Sequence, residues 1–190
     1  KEMNIALFLV SFDPIHNGHL AIANYIVQNT EVDEFWFLLS PQNPLKTNLR
    51  QTCDKDRLNM LHCAIEENPK FKICDIELSL PKPSYTIDTL NELKKRYPEH
   101  QFSLVIGEDN LSVFEKWKDY KTIVANYKIY VYPRHNTTPT FKHSNIMITQ
   151  APFFDVSSTE IRQRINRKLP IEHLVPKSVV TYIVQNKLYS

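Results

Sequence analysis

The stretch Ile5-Ala6-Leu7-Phe8-Leu9-Val10-Ser11-Phe12-Asp13-Pro14-Ile15-His16-Asn17-Gly18-His19-Leu20 decides how this chain is read. Ile5 to Val10 is an unbroken apolar run, suited to a strand buried on both faces. The loop after it holds a proline, a glycine and two histidines. Leu20 to Gln28 then places apolar residues at Leu20, Ile22, Ala23, Tyr25 and Ile26, which predicts a helix. A buried strand, a loop and a helix in immediate succession open an α/β unit.

The same alternation continues outward. Strands are predicted over Glu34–Leu39, Phe71–Leu78, Phe102–Ile106, Lys128–Tyr132 and Ile146–Thr149. Helices are predicted over Asp54–Glu67, where Leu58, Leu61, Ala64 and Ile65 share a face, over Ile87–Arg96, and as one or two short pieces in 109–125. Thr159–Arg167 and Lys177–Gln185 read as closing helices. Residues 41–52 and Pro81-Lys82-Pro83-Ser84 are loops. The expected fold is α/β: a doubly wound parallel sheet in one domain over 1–190, with a small helical C-terminal part at about 151–190. Ligands in such sheets bind beyond the carboxyl ends of the strands, which points at the residues after Val10, Ser40, Ile106 and Tyr132.

Composition narrows the partners. The chain has 190 residues and a net charge of +2, so no global field argues for nucleic acid or a membrane surface. No apolar run approaches the roughly 18 residues of a membrane span. The three cysteines, Cys53, Cys63 and Cys74, form no C-x-x-C pair and read as reduced thiols. With no charged leader before Asn4, the expected location is the cytoplasm. The oligomeric state is open, a homo-oligomer included.

Chemistry concentrates where the first helix begins. His16 and His19 flank Gly18 at a helix N-terminus, where unpaired N–H groups and a partial positive charge favour an anion. Two imidazoles there can donate to phosphate oxygens; a metal pair or a simple turn cap is the alternative that spacing leaves open. A second helix start, Ser157-Ser158-Thr159-Glu160-Ile161-Arg162, combines hydroxyls, amides and a guanidinium. Ser157 and Glu160 also have capping-box spacing. Arg164, Arg167 and Lys168 read as a solvated basic face.

Ser-Phe-Asp-Pro-x-His-x-Gly-His after an N-terminal strand resembles the signature of the HxGH nucleotidyltransferase superfamily, and Val156-Ser157-Ser158-Thr159-x-Ile161-Arg162 resembles its C-terminal motif. Pro83-Ser84-Tyr85-Thr86-Ile87-Asp88-Thr89, Ile106-Gly107-Glu108-Asp109-Asn110 and Phe114-x-x-Trp117-Lys118 occur in the order of the bacterial nicotinate-nucleotide adenylyltransferases, so the resemblance covers almost the whole chain. It implies a Rossmann-like fold and an enzyme that condenses nicotinate mononucleotide with ATP and Mg²⁺. The products are nicotinate adenine dinucleotide and pyrophosphate, a step of NAD biosynthesis.

By this resemblance His16 and His19 are catalytic. ATP is met by Ser11, Phe12, His16, Gly18, His19, Gly107, Asp109, Arg134, Ser157, Ser158, Thr159, Ile161 and Arg162. Physical roles toward the mononucleotide fall to Asn43, Lys46, Tyr85, Thr86 and Trp117, although Lys46 reads equally as an ordinary exposed lysine. No protein residue is assigned as a metal ligand. Trp117 offers a face for a pyridine ring or is a partly buried core residue, and Thr86 binds a carboxylate or only caps a helix.

The pattern departs from the family at Leu9 and Val10, which stand where glycines usually do, and at Glu108, where a small residue is usual. Either the backbone there keeps negative φ and the enzyme works with a crowded pocket, or the bulk blocks the mononucleotide and leaves a catalytically impaired nucleotide-binding homologue. A phosphopantetheine adenylyltransferase is the other alternative, although that group usually carries threonine at position 16.

Overall fold

In the computed structural model, which describes residues 1–41, 52–134 and 139–190, the apolar run becomes strand β1 (Asn4–Val10). Helix α1 (Asn17–Asn29), β2 (Glu34–Leu39), α2 (Asp54–Ile65), β3 (Phe71–Cys74) and α3 (Thr86–Arg96) come next. Then come β4 (Gln101–Gly107), α4 (Glu108–Leu111), α5 (Tyr120–Asn126), β5 (Lys128–Tyr132), β6 (Ile146–Ile148), α6 (Ser158–Asn166) and α7 (Lys177–Gln185). The strands form one sheet in the order β3-β2-β1-β4-β5-β6, and every pairing is parallel. The expected doubly wound α/β architecture is therefore present.

Alternation along the strands builds two apolar layers. Ala6, Phe8, Phe35, Phe37 and Leu39 face a core shared with Ile22, Ala23 and Ile26 of α1, Met60 and Leu61 of α2, Ile161 of α6 and Val179 of α7. Ile5, Leu7, Trp36, Leu38, Leu104 and Ile106 face the other layer, with Ile87, Leu90 and Leu93 of α3 and Ile123 of α5. Right-handed crossovers explain the division. From β1 the chain winds one way through β2 to β3, and from β4 the other way to β6, so the two sets of helices cover opposite faces. The reversal falls between β1 and β4, the position at which such sheets open a crevice at their carboxyl edge.

One predicted element ends early. The strand expected over Phe71–Leu78 stops at Cys74, and Ile76–Leu78 curls into a single 3-10 turn. Ile76 joins the α3 layer while Leu78 packs against the α1 layer. Residues two apart on a strand share a face, so an extended segment cannot place this pair on opposite sides. The turn can, and it brings Glu77 inward.

Candidate active site

His16 caps α1. Its Nδ1 accepts from the amides of Gly18 at 3.0 Å and His19 at 3.4 Å, and its own amide donates to His19 Nδ1 at 3.1 Å. With Nδ1 accepting on both rings, each neutral imidazole carries its proton on Nε2. The rings stack with centroids 3.6 Å apart and planes 19° from parallel. Phe8 and Phe12 pack edge-on against His19, at 5.8 and 5.0 Å. Burial, helped by the nearby Arg134 charge, lowers the His16 pKa to about 4. Burial also holds His19 well below its usual value, with His16 and Arg134 adding to the effect. At neutral pH the pair is thus uncharged, locked in one tautomer, and presents two N–H donors.

Gly18 has a specific reason to be glycine. A Cβ there would come within 2.8 Å of His16 Cε1 and 3.3 Å of Val156 Cγ1, so the missing side chain makes room for the capping ring. The resemblance sets ATP against Gly18; the structure gives the space at its missing side chain to His16. Gly107 is similar: a Cβ would meet the Asp109 carboxylate and, at 3.1 Å, the Tyr132 ring. Its φ of −81° is one any residue adopts, so close approach and not left-handed backbone makes glycine the residue that fits.

The second predicted helix start lies against this loop. Ser158 Oγ donates to Pro14 O at 2.8 Å and an Arg162 guanidinium nitrogen donates to Asp13 O at 2.8 Å. Ser157 accepts from the Glu160 amide at 3.1 Å, the capping interaction that the spacing predicted. Thr159 is exposed at the α6 N-terminus and accepts from Arg162 at 3.2 Å. Ile161 and Phe12 have no side-chain surface to offer ATP: both are 0% exposed, and the Ile161 amide is used by Ser157 O. Phe12 can meet a ligand only through its backbone, which has φ 47°. Ser11 is exposed at the end of β1.

Two spaces open along the carboxyl edge. Between the histidines, Ile22, Arg134, Phe153, Phe154 and Val156 there is a cleft of about 20 Å³, room for a single water but not a triphosphate. A ligand there must displace side chains, and Phe154 is already 43% exposed. Beside it lies a cavity of about 700 Å³, the size of a small-molecule site, lined among others by Val10, Glu77, Ser84, Thr86, Trp117 and Tyr132. Tyr132 borders both spaces, with the Arg134 guanidinium 5.6 Å from its ring centre.

Thr86 and Trp117, two of the residues expected to meet the mononucleotide, line the larger cavity. Trp117 is held by Phe114, with centroids 5.0 Å apart. Thr86 begins α3 and leaves the capping to Asp88, whose carboxylate accepts from the Tyr85 amide at 3.0 Å. First-turn amides lack intrahelical acceptors, so α3 presents an anion-favouring end to the cavity. Tyr85 lies outside the lining, 46% exposed with Lys118 Nζ 4.9 Å from its ring centre. Asn43 and Lys46 lie outside the described residues. Asp109 is exposed beside Gly107 at the start of α4.

The departure at Leu9 and Val10 resolves in favour of ordinary backbone. Both stay in the parallel ladder, opposite Leu38 and Leu39, and neither has positive φ. Their side chains form part of the cavity wall without filling it.

Two buried polar residues and one half-buried tyrosine escaped the sequence reading. Arg57 is 0% exposed and donates to Ser11 O at 2.6 Å and Ser40 O at 2.8 Å, tying together the chain ends that leave β1 and β2. Glu77 accepts from Thr89 Oγ1 at 2.8 Å, and burial raises its pKa. Tyr189 donates to Asp13 Oδ1 at 2.5 Å. An arginine on an amphipathic helix reads as solvated, a glutamate in a strand reads as its polar face, and a tyrosine beyond the last helix reads as nothing in particular.

The cytidylyltransferase-like family model matches residues 7–164. A Cytophaga hutchinsonii protein named "Probable nicotinate-nucleotide adenylyltransferase" is 46% identical over 190 residues, covering 99% of each chain. A Flavobacterium psychrophilum protein of the same name is 43% identical over 191 residues, covering 98% of this chain and 99% of its own. Among solved structures, Plasmodium falciparum nicotinic acid mononucleotide adenylyltransferase complexed with NaAD superimposes with a TM-score of 0.78 at 21% identity, covering 98% of this chain and 97% of that one. At that identity the superposition speaks for the fold. The full-length relatives and the family model together place this chain in the nicotinate-nucleotide adenylyltransferase family of cytidylyltransferase-like proteins.

Proposed function

We propose that the chain transfers an adenylyl group from ATP to nicotinate mononucleotide. The observation that carries this reading is the locked histidine pair beside a 700 Å³ cavity at the sheet's switch point. An oxygen of the mononucleotide's phosphate attacks the α-phosphorus of ATP and forms the new P–O bond. The bond from the α-phosphorus to the bridging oxygen of the β-phosphate breaks, and pyrophosphate leaves with that electron pair. No enzyme nucleophile is needed, because such displacements depend on positioning and charge stabilisation.

In this reading the Nε2–H groups of His16 and His19 donate to the phosphate oxygens of ATP, where charge grows in the transition state. Being neutral and pre-oriented, they cost no reorganisation when the reaction occurs. Arg134 and the α6 N-terminus at Thr159 supply further positive potential for the triphosphate. The pyridine ring stacks on Trp117, and its carboxylate meets the α3 N-terminus at Thr86. Asp109 accepts from ribose hydroxyls.

Mg²⁺ enters with ATP as part of the substrate, neutralising phosphate charge. Among the described residues no cluster of three or more His, Cys, Asp or Glu could hold a metal ion, and the donor set of the cleft is imidazole and guanidinium, which suits phosphate oxygens. Residues 1–190 act as one domain, with the part after 151 bracing the phosphate loop. Among the described residues no helix is long and apolar enough to cross a membrane, and the site of action is proposed as the cytoplasm.

The test is pyrophosphate release with ATP plus nicotinate mononucleotide, nicotinamide mononucleotide or phosphopantetheine. Turnover is expected with the first and weakly, if at all, with the others. Turnover with phosphopantetheine alone would overturn the choice of substrate, and silence with all three would overturn the enzyme reading.

A further inference from the structure

The loop from Ser11 to His19 carries the donors of the reaction, yet it is not self-supporting. Phe12 stands at φ 47°, a region costly for a non-glycine residue and sustained only where the surroundings over-determine it. Three contacts from the chain after residue 157 hold Asp13 and Pro14, the next two residues of the loop. Ser158 takes Pro14 O, Arg162 takes Asp13 O, and Tyr189 takes the Asp13 carboxylate. Asn17 is held too, its amide donating to Leu174 O at 2.9 Å. Of these residues, Ser158 and Arg162 belong to the C-terminal motif. Tyr189 does not.

Its placement is elaborate for a residue outside any helix. After α7 the backbone turns back through left-handed Lys187 (φ 52°) and Tyr189 (φ 64°), which returns the phenol to the loop. Leu188 and Tyr189 pack against the α1-side core. The hydroxyl donates to Asp13, and Thr52, which precedes α2, also favours its ionised form. Burial first, then the Asp13 charge, pushes the phenol pKa far above its ordinary value, so it remains a donor at any working pH. The acceptor is three residues upstream of the His16 cap.

We propose that Tyr189 is a positioning residue for adenylyl transfer, fixing the Asp13 carboxylate and through it the orientation of the His16–His19 pair. The proposal rests on the adenylyltransferase reading for its kinetic consequence, but not for its structural one. Tyr189→Phe removes one hydroxyl and keeps the ring. It should lower kcat about tenfold, the scale of a small misplacement of reacting groups, while KM for the mononucleotide stays within about twofold.

Tyr182→Phe is the control. Tyr182 donates to Asp56 Oδ1 at 2.6 Å, a bond of the same kind away from the loop. It should cost similar stability, a shift of no more than about 5 °C in Tm, and leave kcat unchanged. Asp13→Ala should lower kcat at least as much as Tyr189→Phe, and the double variant should be no worse than Asp13→Ala, because the hydroxyl acts through the carboxylate. Multiplying losses in the double variant would overturn the proposal.

The side-chain NMR resonances of His16 and His19 give a readout independent of turnover. They should shift or broaden in Tyr189→Phe and remain in place in Tyr182→Phe. Unmoved imidazole signals with wild-type kcat would overturn the proposal. Should the wild-type protein release no pyrophosphate, the functional reading falls, and the imidazole spectra alone decide the role of Tyr189: movement sustains it and immobility ends it.

Discussion

The two helix starts, His16–His19 and Ser157–Arg162, carry similar signals and use them differently. Both come after an extended segment, both cap their own helix, and both cluster polar side chains where amides are unpaired. At the first, the capping groups are the imidazole Nδ1 atoms, and the opposite edge of each ring keeps its N–H as a donor. At the second, Ser158 and Arg162 are already engaged with the carbonyls of Pro14 and Asp13, in the loop that leads into the first. In the proposed reaction the first segment acts on the ligand, while the second largely holds the loop before the first in place. A motif therefore names the residues that meet but not which of them has capacity left over.

The sharpest way to break this comparison is to remove a donor from the first segment. His19→Ala should lower kcat by on the order of 100-fold or more, the cost of losing a donor to developing charge. Ser158→Ala, measured in the same assay, should stay within about tenfold because its loss is indirect. If steady-state pyrophosphate release showed the two variants equally impaired, the division between acting and holding would fail.

Acid provides a second separation. The folded pKa of His16 is about 4, against an ordinary value of 6.5. Between those values the unfolded chain binds a proton that the folded chain refuses, so stability is lost as pH falls from 6.5 and the loss levels off near 4. For His16 alone it amounts to about 3 kcal/mol, and His19 is shifted in the same direction. Urea unfolding at pH 7 and pH 4.5 reads the difference. His16→Asn retains a capping acceptor but does not titrate, so its pH dependence should be flatter. An identical profile in this variant would show that other groups dominate the acid sensitivity.

Legibility in the sequence tracks which physics is local. The apolar run of β1, the alternation of strands and helices, and the cap at Ser157 are short-range and appear where expected, while the cap at His16 is one of the alternatives that spacing leaves open. The end of β3 was missed because Ile76 and Leu78 part to opposite layers, which only the packed faces decide. Phe12 and Ile161 were counted among ligand residues because they lie inside motifs, yet the core claims their side chains. Arg57, Glu77 and Tyr189 act on groups distant along the chain. Their partners are the carbonyl of Ser11, the hydroxyl of Thr89 and the carboxylate of Asp13, none of which a single sequence pairs with them.

Leu9 and Val10 supply the smallest expected effect and sharpen the comparison from the substrate side. They precede the first segment and have no counterpart before the second. Since both keep ladder geometry and negative φ, their side chains narrow the cavity without deforming the loop. Val10→Gly should therefore change kcat/KM for the mononucleotide by less than about fivefold, by altering packing at one wall. It should also cost about 1 kcal/mol or more of stability, since glycine weakens a strand and Val10 packs against the α1-side core. Paired kinetic and unfolding measurements test both halves. A large gain in kcat/KM would mean that the valine obstructs the substrate, and the cavity wall would then have to be counted with the histidine pair among the determinants of rate.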